Sequence, residues 1–95
     1  MKLGAFDTAE CTGGSIVSGA SDTPFTGVST DSRTVGKGAL FVALSGENFD
    51  GHAFVSEAFS RGAAGAMVMR EGIGGTGAVI VVDDTLAALG DIARY

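Results

Sequence analysis

The sequence predicts a small α/β layered domain with a mixed sheet and about three helices, and three features carry that expectation. Ala39-Leu40-Phe41-Val42-Ala43-Leu44 is apolar without polar alternation, which is how a strand reads when both of its faces are covered. Phe54, Val55, Ala58 and Phe59 then fall at helical offsets on one side of a stretch running from about residue 51 to Arg61. Two further apolar runs follow, Ala66-Met67-Val68-Met69 and Ala78-Val79-Ile80-Val81-Val82, so strand and helix alternate along the chain.

Taken in order, residues 3–10 suggest a short helix bearing Leu3 and Phe6 that ends at Gly13-Gly14. Ser15-Ile16-Val17-Ser18 reads as a strand, a polar turn passes through Asp22, Thr23 and Pro24, and a second short strand is expected around Thr26 to Thr30. These two strands are expected to be neighbours joined by that turn. The Ala39–Leu44 strand is expected in the interior of the sheet, followed by a loop over Ser45 to Gly51 in which Asp50 caps the next helix. Glu57 and Arg61 make a favourably oriented i,i+4 pair outside its apolar side, and Gly62 stops it. After the last strand, Asp83 or Asp84 caps a helix whose Leu86, Leu89, Ile92 and Ala93 are expected to share a face. That helix runs into Tyr95 with no C-cap glycine, so the chain reads as an N-terminal fragment of a longer protein.

Length and composition narrow the function. Ninety-five residues suit one domain and leave no room for two independent cores. Sixteen glycines against one proline raise the entropy lost on folding, so modest stability is expected for the isolated domain. The formal charge of -5, with no cluster of Lys or Arg, disfavours binding to nucleic-acid phosphates. One cysteine, Cys11, allows no internal disulfide and fits a reducing cytoplasm, and with a single histidine no zinc ligand set is available. No apolar run is long enough to cross a bilayer.

Several motifs resolve to ordinary structure. Gly72-Ile73-Gly74-Gly75-Thr76-Gly77 has the G-x-G-x-x-G spacing but precedes a strand instead of opening a helix, so it reads as a flexible connection. Gly36-Lys37-Gly38 lacks the upstream glycine and the Ser or Thr of a phosphate-binding P-loop, whose places hold Asp31 and Gly38. His52 has no nucleophile at a telling spacing and reads as a helix-start residue making a local hydrogen bond. Asp83-Asp84 reads as a turn and cap, since adjacent carboxylates without further ligands do not hold a metal.

Two loops remain. Ser29-Thr30-Asp31-Ser32-Arg33 gathers hydroxyls, a carboxylate and a guanidinium after a strand. It can hydrogen-bond a polar ligand edge, or it can be a plain Asx or Ser/Thr turn with Arg33 pairing Asp31, which residue chemistry alone favours. Gly46 to His52 leaves an interior strand and enters a helix, the place where open α/β sheets bind ligands, and its amides can address the donor and acceptor groups of a base such as uracil.

The ordered blocks Gly27-Val28-Ser29-Thr30-Asp31-Ser32-Arg33, Gly38 to Leu44, and Gly46-Glu47-Asn48-Phe49-Asp50-Gly51-His52 with Phe54-Val55 resemble the N-terminal domain of the Mur ligases. Val82-Asp83-Asp84-Thr85-Leu86-Ala87-Ala88-Leu89-Gly90 is similar to the family's segment leading towards its central domain. Within the family the match falls nearest the branch that adds D-alanyl-D-alanine to a UDP-linked muramoyl tripeptide. The branch that adds the third amino acid is the nearest rival, and a stand-alone, non-catalytic ligand-binding or interaction domain is a rival of another class.

The resemblance implies that residues 1–95 form the UDP-substrate-binding domain of a cytoplasmic peptidoglycan-synthesis enzyme. It implies ATP and magnesium on a central domain absent from this chain, none bound by this fragment, and no activity for the fragment alone. There, the resemblance implies, an acyl phosphate forms on the substrate carboxylate and the incoming amine displaces phosphate from it. The partners implied are the UDP-linked muramoyl peptide and the remaining domains of the same ligase, with no nucleic acid and no membrane. Carried over position by position, substrate contacts fall at Thr30 and Ser32 in the first loop and at Glu47, Asn48 and Phe49 in the second. Arg33 is the nearest fixed cation for a diphosphate, with Lys37 behind it, and no catalytic or metal-binding residue is expected.

Overall fold

The computed structural model describes residues 3–46, 50–70, 72 and 77–94. The elements are β1 (Leu3–Gly4), α1 (Ala5–Thr12), β2 (Ser15–Ser18), β3 (Pro24–Phe25), β4 (Val28–Ser29) and β5 (Leu40–Val42). A 3₁₀ turn (Gly51–Phe54) leads into α2 (Val55–Ser60), followed by β6 (Gly65–Val68), β7 (Ala78–Val81) and α3 (Thr85–Ala93). Five strands form one mixed sheet in the order β2-β7-β6-β5-β4. Strands β4, β5, β6 and β7 run parallel, and β2 closes one edge antiparallel to β7. The expected α/β class, mixed sheet and three helices are all present.

Alternation along the interior strands divides the core into two layers. Leu40 and Val42 of β5, Met67 of β6 and Ala78 and Ile80 of β7 face a cluster completed by Ala5 of α1 and Ala88 and Ile92 of α3. Phe41, Ala66, Val68 and Val79 point the other way, against Val55, Ala58 and Phe59 of α2. All three residues of β5 are buried, which explains why the Ala39–Leu44 run shows no polar alternation. Both faces of the sheet are therefore covered by helices, α1 and α3 on one and α2 on the other.

Three expectations change. The strands expected as neighbours, β2 and β4, lie at opposite edges of the sheet. The turn between them does not close a hairpin, because β3 pairs instead with β1 in a separate antiparallel ladder, Leu3 with Phe25 and Gly4 with Pro24. Phe25 is thereby buried against Gly65, where a Cβ would come within 2.7 Å of the ring. The first helix starts at Ala5, after Leu3 has been taken into β1, and buries Ala5 and Thr8 while Phe6 is exposed. In α3 the buried face is Thr85, Ala88 and Ile92; Leu86 is 66% exposed and Ala93 is exposed.

The rotation of α3 has a specific cause. Asp84 caps the helix through Leu86 N and Ala87 N at 2.9 and 3.3 Å, and Thr85 Oγ1 donates to the Ala43 carbonyl at 2.8 Å. That bond turns Thr85 inward and Leu86 outward. The Thr85→Val variant keeps the shape but leaves the buried Ala43 carbonyl without its side-chain donor. We expect a loss of about 1–2 kcal/mol, read from the urea midpoint at unchanged m-value. A midpoint equal to wild type would show that the bond does not hold α3 to the sheet.

Candidate functional site

Parallel strands β4 and β5 end at the same rim, so the loops that leave them meet there. Between these loops and the start of the following helix lies a cavity of about 530 Å³ lined by Thr30, Asp31, Ser32, Arg33, Phe41, Leu44, Gly51, Phe54 and Glu57. Thr30, Ser32 and Arg33, expected from sequence as substrate contacts, are thus brought together on one wall. Glu47, Asn48 and Phe49 lie outside the described residues. Lys37 does not line the cavity; it sits beside Gly62, before β5 begins and away from the rim where β5 ends.

The first loop folds on itself as its residue chemistry favours. Asp31 N donates to Ser29 Oγ at 3.2 Å, and Arg33 N donates to Asp31 Oδ1 at 2.9 Å, the signature of an Asx turn. Arg33 also clamps the carboxylate with two side-chain hydrogen bonds, Nε to Oδ1 and Nη2 to Oδ2, both at 3.1 Å. These Arg33 side-chain bonds, then the Arg33 backbone N–H, hold the Asp31 carboxyl below its usual range, and the same pairing raises the Arg33 pKa. The Arg33 side chain is nevertheless 77% exposed, so its pairing is of the kind worth little in water and open to exchange. Ser32 is buried, and its Oγ donates to Glu57 Oε1 at 3.0 Å.

The second loop is pinned at its neck. Gly51 N donates to the Leu44 carbonyl at 2.7 Å, and any Cβ at Gly51 would lie 2.6 Å from that oxygen, so only glycine permits the approach. Asp50 Oδ1 accepts from His52 N at 3.0 Å, from Ser45 Oγ at 3.1 Å and from His52 Nδ1 at 2.6 Å, while Oδ2 accepts from Arg70 at 3.3 Å. The expected cap by Asp50 and the expected local hydrogen bond of His52 are both present. His52 is also buried and does more than a local bond: its Nε2 accepts from Met69 N at 2.9 Å, tying the neck to the exit of β6. Because Nε2 accepts, the proton sits on Nδ1 and is given to Asp50. That ring N–H, then the His52 backbone N–H, with further help from Ser45 and Arg70, holds the Asp50 carboxyl well below the usual carboxylate range.

Sequence reasoning missed Phe54, Glu57, Phe41 and Leu44 as wall residues. Phe54, expected on the buried side of the helix, instead ends a 3₁₀ turn and is 45% exposed at the cavity. Glu57 pairs with Arg61 as expected, at 3.2 Å, yet its other oxygen reaches Ser32. The i,i+3 spacing of Phe54 and Glu57 was the available signal, since it places both on one side of a helical turn. Leu44 also lines a neighbouring hollow of about 430 Å³ with Met69, Asp84 and Leu86. Among the described residues, no group of three His, Cys, Asp or Glu side chains can hold a metal ion.

Two outcomes follow from the clasp at the neck. His52→Ala leaves Met69 N–H without its acceptor and opens a buried void, so we expect a loss of about 3 kcal/mol by chemical denaturation; less than about 1 kcal/mol would rule out the clasp. The Asp50 carboxyl is lowered in the folded protein, so its stabilisation is present above its ordinary value of 3.8 and is lost as pH falls through and below it. The stability gap between wild type and Asp50→Asn should therefore be constant near neutrality and close under acid. A gap that widens in acid would contradict the sign.

Comparison with known proteins gives this geometry its context. A curated relative from Synechocystis, a UDP-N-acetylmuramoyl-tripeptide–D-alanyl-D-alanine ligase, is 41% identical over 81 residues, covering 83% of this chain and 18% of the relative. One from Aquifex aeolicus, a UDP-N-acetylmuramoyl-L-alanyl-D-glutamate–2,6-diaminopimelate ligase, is 45% identical over 68 residues, covering 72% of this chain and 14% of the relative. Among solved structures, MurF from Acinetobacter baumannii superposes with a TM-score of 0.88 at 34% identity, over 100% of this chain and 21% of that one. The chain thus spans 14% to 21% of the length of these proteins. The family model described as "Mur ligase family, catalytic domain" matches residues 24–95, and the chain belongs to the Mur ligase family.

Proposed function

We propose that residues 1–95 form the substrate-binding N-terminal domain of a MurF-type ligase, which joins D-alanyl-D-alanine to a UDP-linked muramoyl tripeptide in cytoplasmic peptidoglycan synthesis. The observation that carries the reading is the cavity at the rim shared by β4 and β5, walled by Thr30, Ser32 and Arg33. Ligands of open α/β sheets bind at such rims, beyond the carboxyl ends of the strands. In this reading Thr30, Ser32 and Arg33 hold the UDP end of the substrate, Glu47, Asn48 and Phe49 supply further contacts from the second loop, and Phe49 packs beside the base. The 41% identity to the Synechocystis D-alanyl-D-alanine ligase supports this branch. The 45% identity to the Aquifex ligase favours a second reading, a domain of a ligase adding diaminopimelate.

ATP and magnesium belong, in this reading, to another domain of the same protein. The Gly36-Lys37-Gly38 segment does not fit a P-loop for a nucleoside triphosphate: Gly38 precedes a strand, and no helix begins directly after Lys37. This chain contributes by binding a remote handle, and binding energy from a non-reacting part of a substrate can be used to position the reacting end. Its partners are accordingly the UDP-linked substrate and the ligase's other domains.

The experiment is a titration of residues 1–95 with UDP, followed by amide chemical shifts. We expect a dissociation constant of about 1 mM, on the order of -4 kcal/mol, because Arg33 is already paired with Asp31. Shifts should concentrate at Thr30, Ser32, Arg33 and Phe54, and Arg33→Ala should weaken UDP about fivefold, near 1 kcal/mol. Submicromolar affinity, or shifts confined to α1 and β2, would refute the assignment. The intact ligase assayed with D-alanyl-D-alanine against diaminopimelate separates the two branches.

A further inference from the structure

The buried wall of the cavity carries a hydrogen-bond polarity that its residue names do not disclose. Ser32 is 5% exposed and lines the cavity together with Glu57. A serine hydroxyl has one proton to give and two lone pairs, whereas a carboxylate can only accept. With Ser32 Oγ 3.0 Å from Glu57 Oε1, the single proton is committed to the carboxylate. Glu57 is held in place from its other side, where Oε2 accepts from Arg61 Nε at 3.2 Å. What Ser32 has left for the cavity is lone pairs.

We infer that Glu57 is a positioning residue that makes Ser32 an obligate hydrogen-bond acceptor, so that this wall takes a neutral N–H or O–H edge of the ligand and turns its phosphates away. The inference rests on the proposed UDP-binding role and adds an orientation to it. A phosphate oxygen is itself an acceptor and finds no donor in the Ser32 hydroxyl, whose proton Glu57 already holds. Arg33, at the exposed part of the same cavity, is the group suited to the diphosphate. The ligand therefore lies with its nucleoside towards Ser32 and Glu57 and its charge towards Arg33. Three groups shared by uridine and UDP have the required chemistry, the imide N–H of the base and the two ribose hydroxyls.

Uridine and UDP, titrated in parallel by NMR against the 95-residue chain, separate the possibilities. Ser32→Ala should weaken uridine and UDP by the same factor, about five- to tenfold, because the hydroxyl it removes bonds the nucleoside that both ligands share. Glu57→Ala should weaken uridine about threefold, and Glu57→Gln, whose amide oxygen can still accept the Ser32 proton, should restore it; a purely structural role would not separate these two. N3-methyluridine, 2′-deoxyuridine and 3′-deoxyuridine then identify the donor, since the analogue lacking it binds wild type poorly and becomes indifferent to Ser32→Ala. A loss confined to UDP with uridine unchanged would mean that Ser32 serves phosphate, and the inference falls. Uridine binding unmoved by every variant also overturns it. If wild type binds UDP nowhere near this cavity, the binding role itself fails and takes the inference with it, a result distinct from either of the others.

Discussion

The constraint on which the molecule depends is that its interior strands must bury side chains on both faces at once. Leu40, Val42, Met67 and Ile80 fill one layer, and Phe41, Ala66, Val68 and Val79 fill the other. A strand used in this way has no side chain left for chemistry. Polar function is displaced to the strand ends, and because β4 to β7 run parallel, their carboxyl ends all reach the same rim. The cavity, the Asx turn and the His52 clasp lie at that rim, where the chain leaves the buried interior strands.

Electrostatically, the charged residues of the cavity and its neck stand in internal pairs. Asp31 is matched to Arg33, Glu57 to Arg61 and Asp50 to Arg70, with separations of 3.1, 3.2 and 3.3 Å. Among the described residues, a chain of formal charge -5 thus presents neither a free acidic face nor a free cationic trap at its cavity. Such exposed pairs are worth little in water, so exchanging Asp31 for a ligand phosphate at Arg33 costs little and gains little. The arrangement suits a weak, orienting grip on a charged handle better than tight capture.

What was legible in the sequence was local. The doubly covered β5, the Asp50 and Asp84 caps, the Glu57–Arg61 pair and the Asx turn with its Arg33 clamp depend on neighbours within a few residues, and pattern reading reaches that far. The rest was set by partners distant in the chain. The rotation of α3 answers to Ala43, so the apolar periodicity of Leu86 and Ala93 misled. The placement of β2 and β4 at opposite edges follows from their pairing with β7 and β5, strands that come later in the chain, and no turn signal between them encodes that. Of the residues lining the cavity, Thr30, Ser32 and Arg33 were named through the resemblance to a family, while Glu57 was hidden because its local partner, Arg61, already accounted for it.

The end of β5 is the point where these long-range partners converge. Ala43 gives its N–H to Met67 and takes the Thr85 hydroxyl, and the next carbonyl, Leu44, takes Gly51 N–H. His52 then ties the same neck to Met69. Strand β5 is therefore held at its exit by α3, by β6 and by the start of the helical segment that follows it, on both sides of the sheet. Leu44, whose carbonyl takes one of those bonds, lines the cavity and the neighbouring hollow alike. Where the rim is held by such bonds, less binding energy is spent on ordering it, and the proposed grip on a remote handle requires that property if it is to be felt at a reacting end elsewhere.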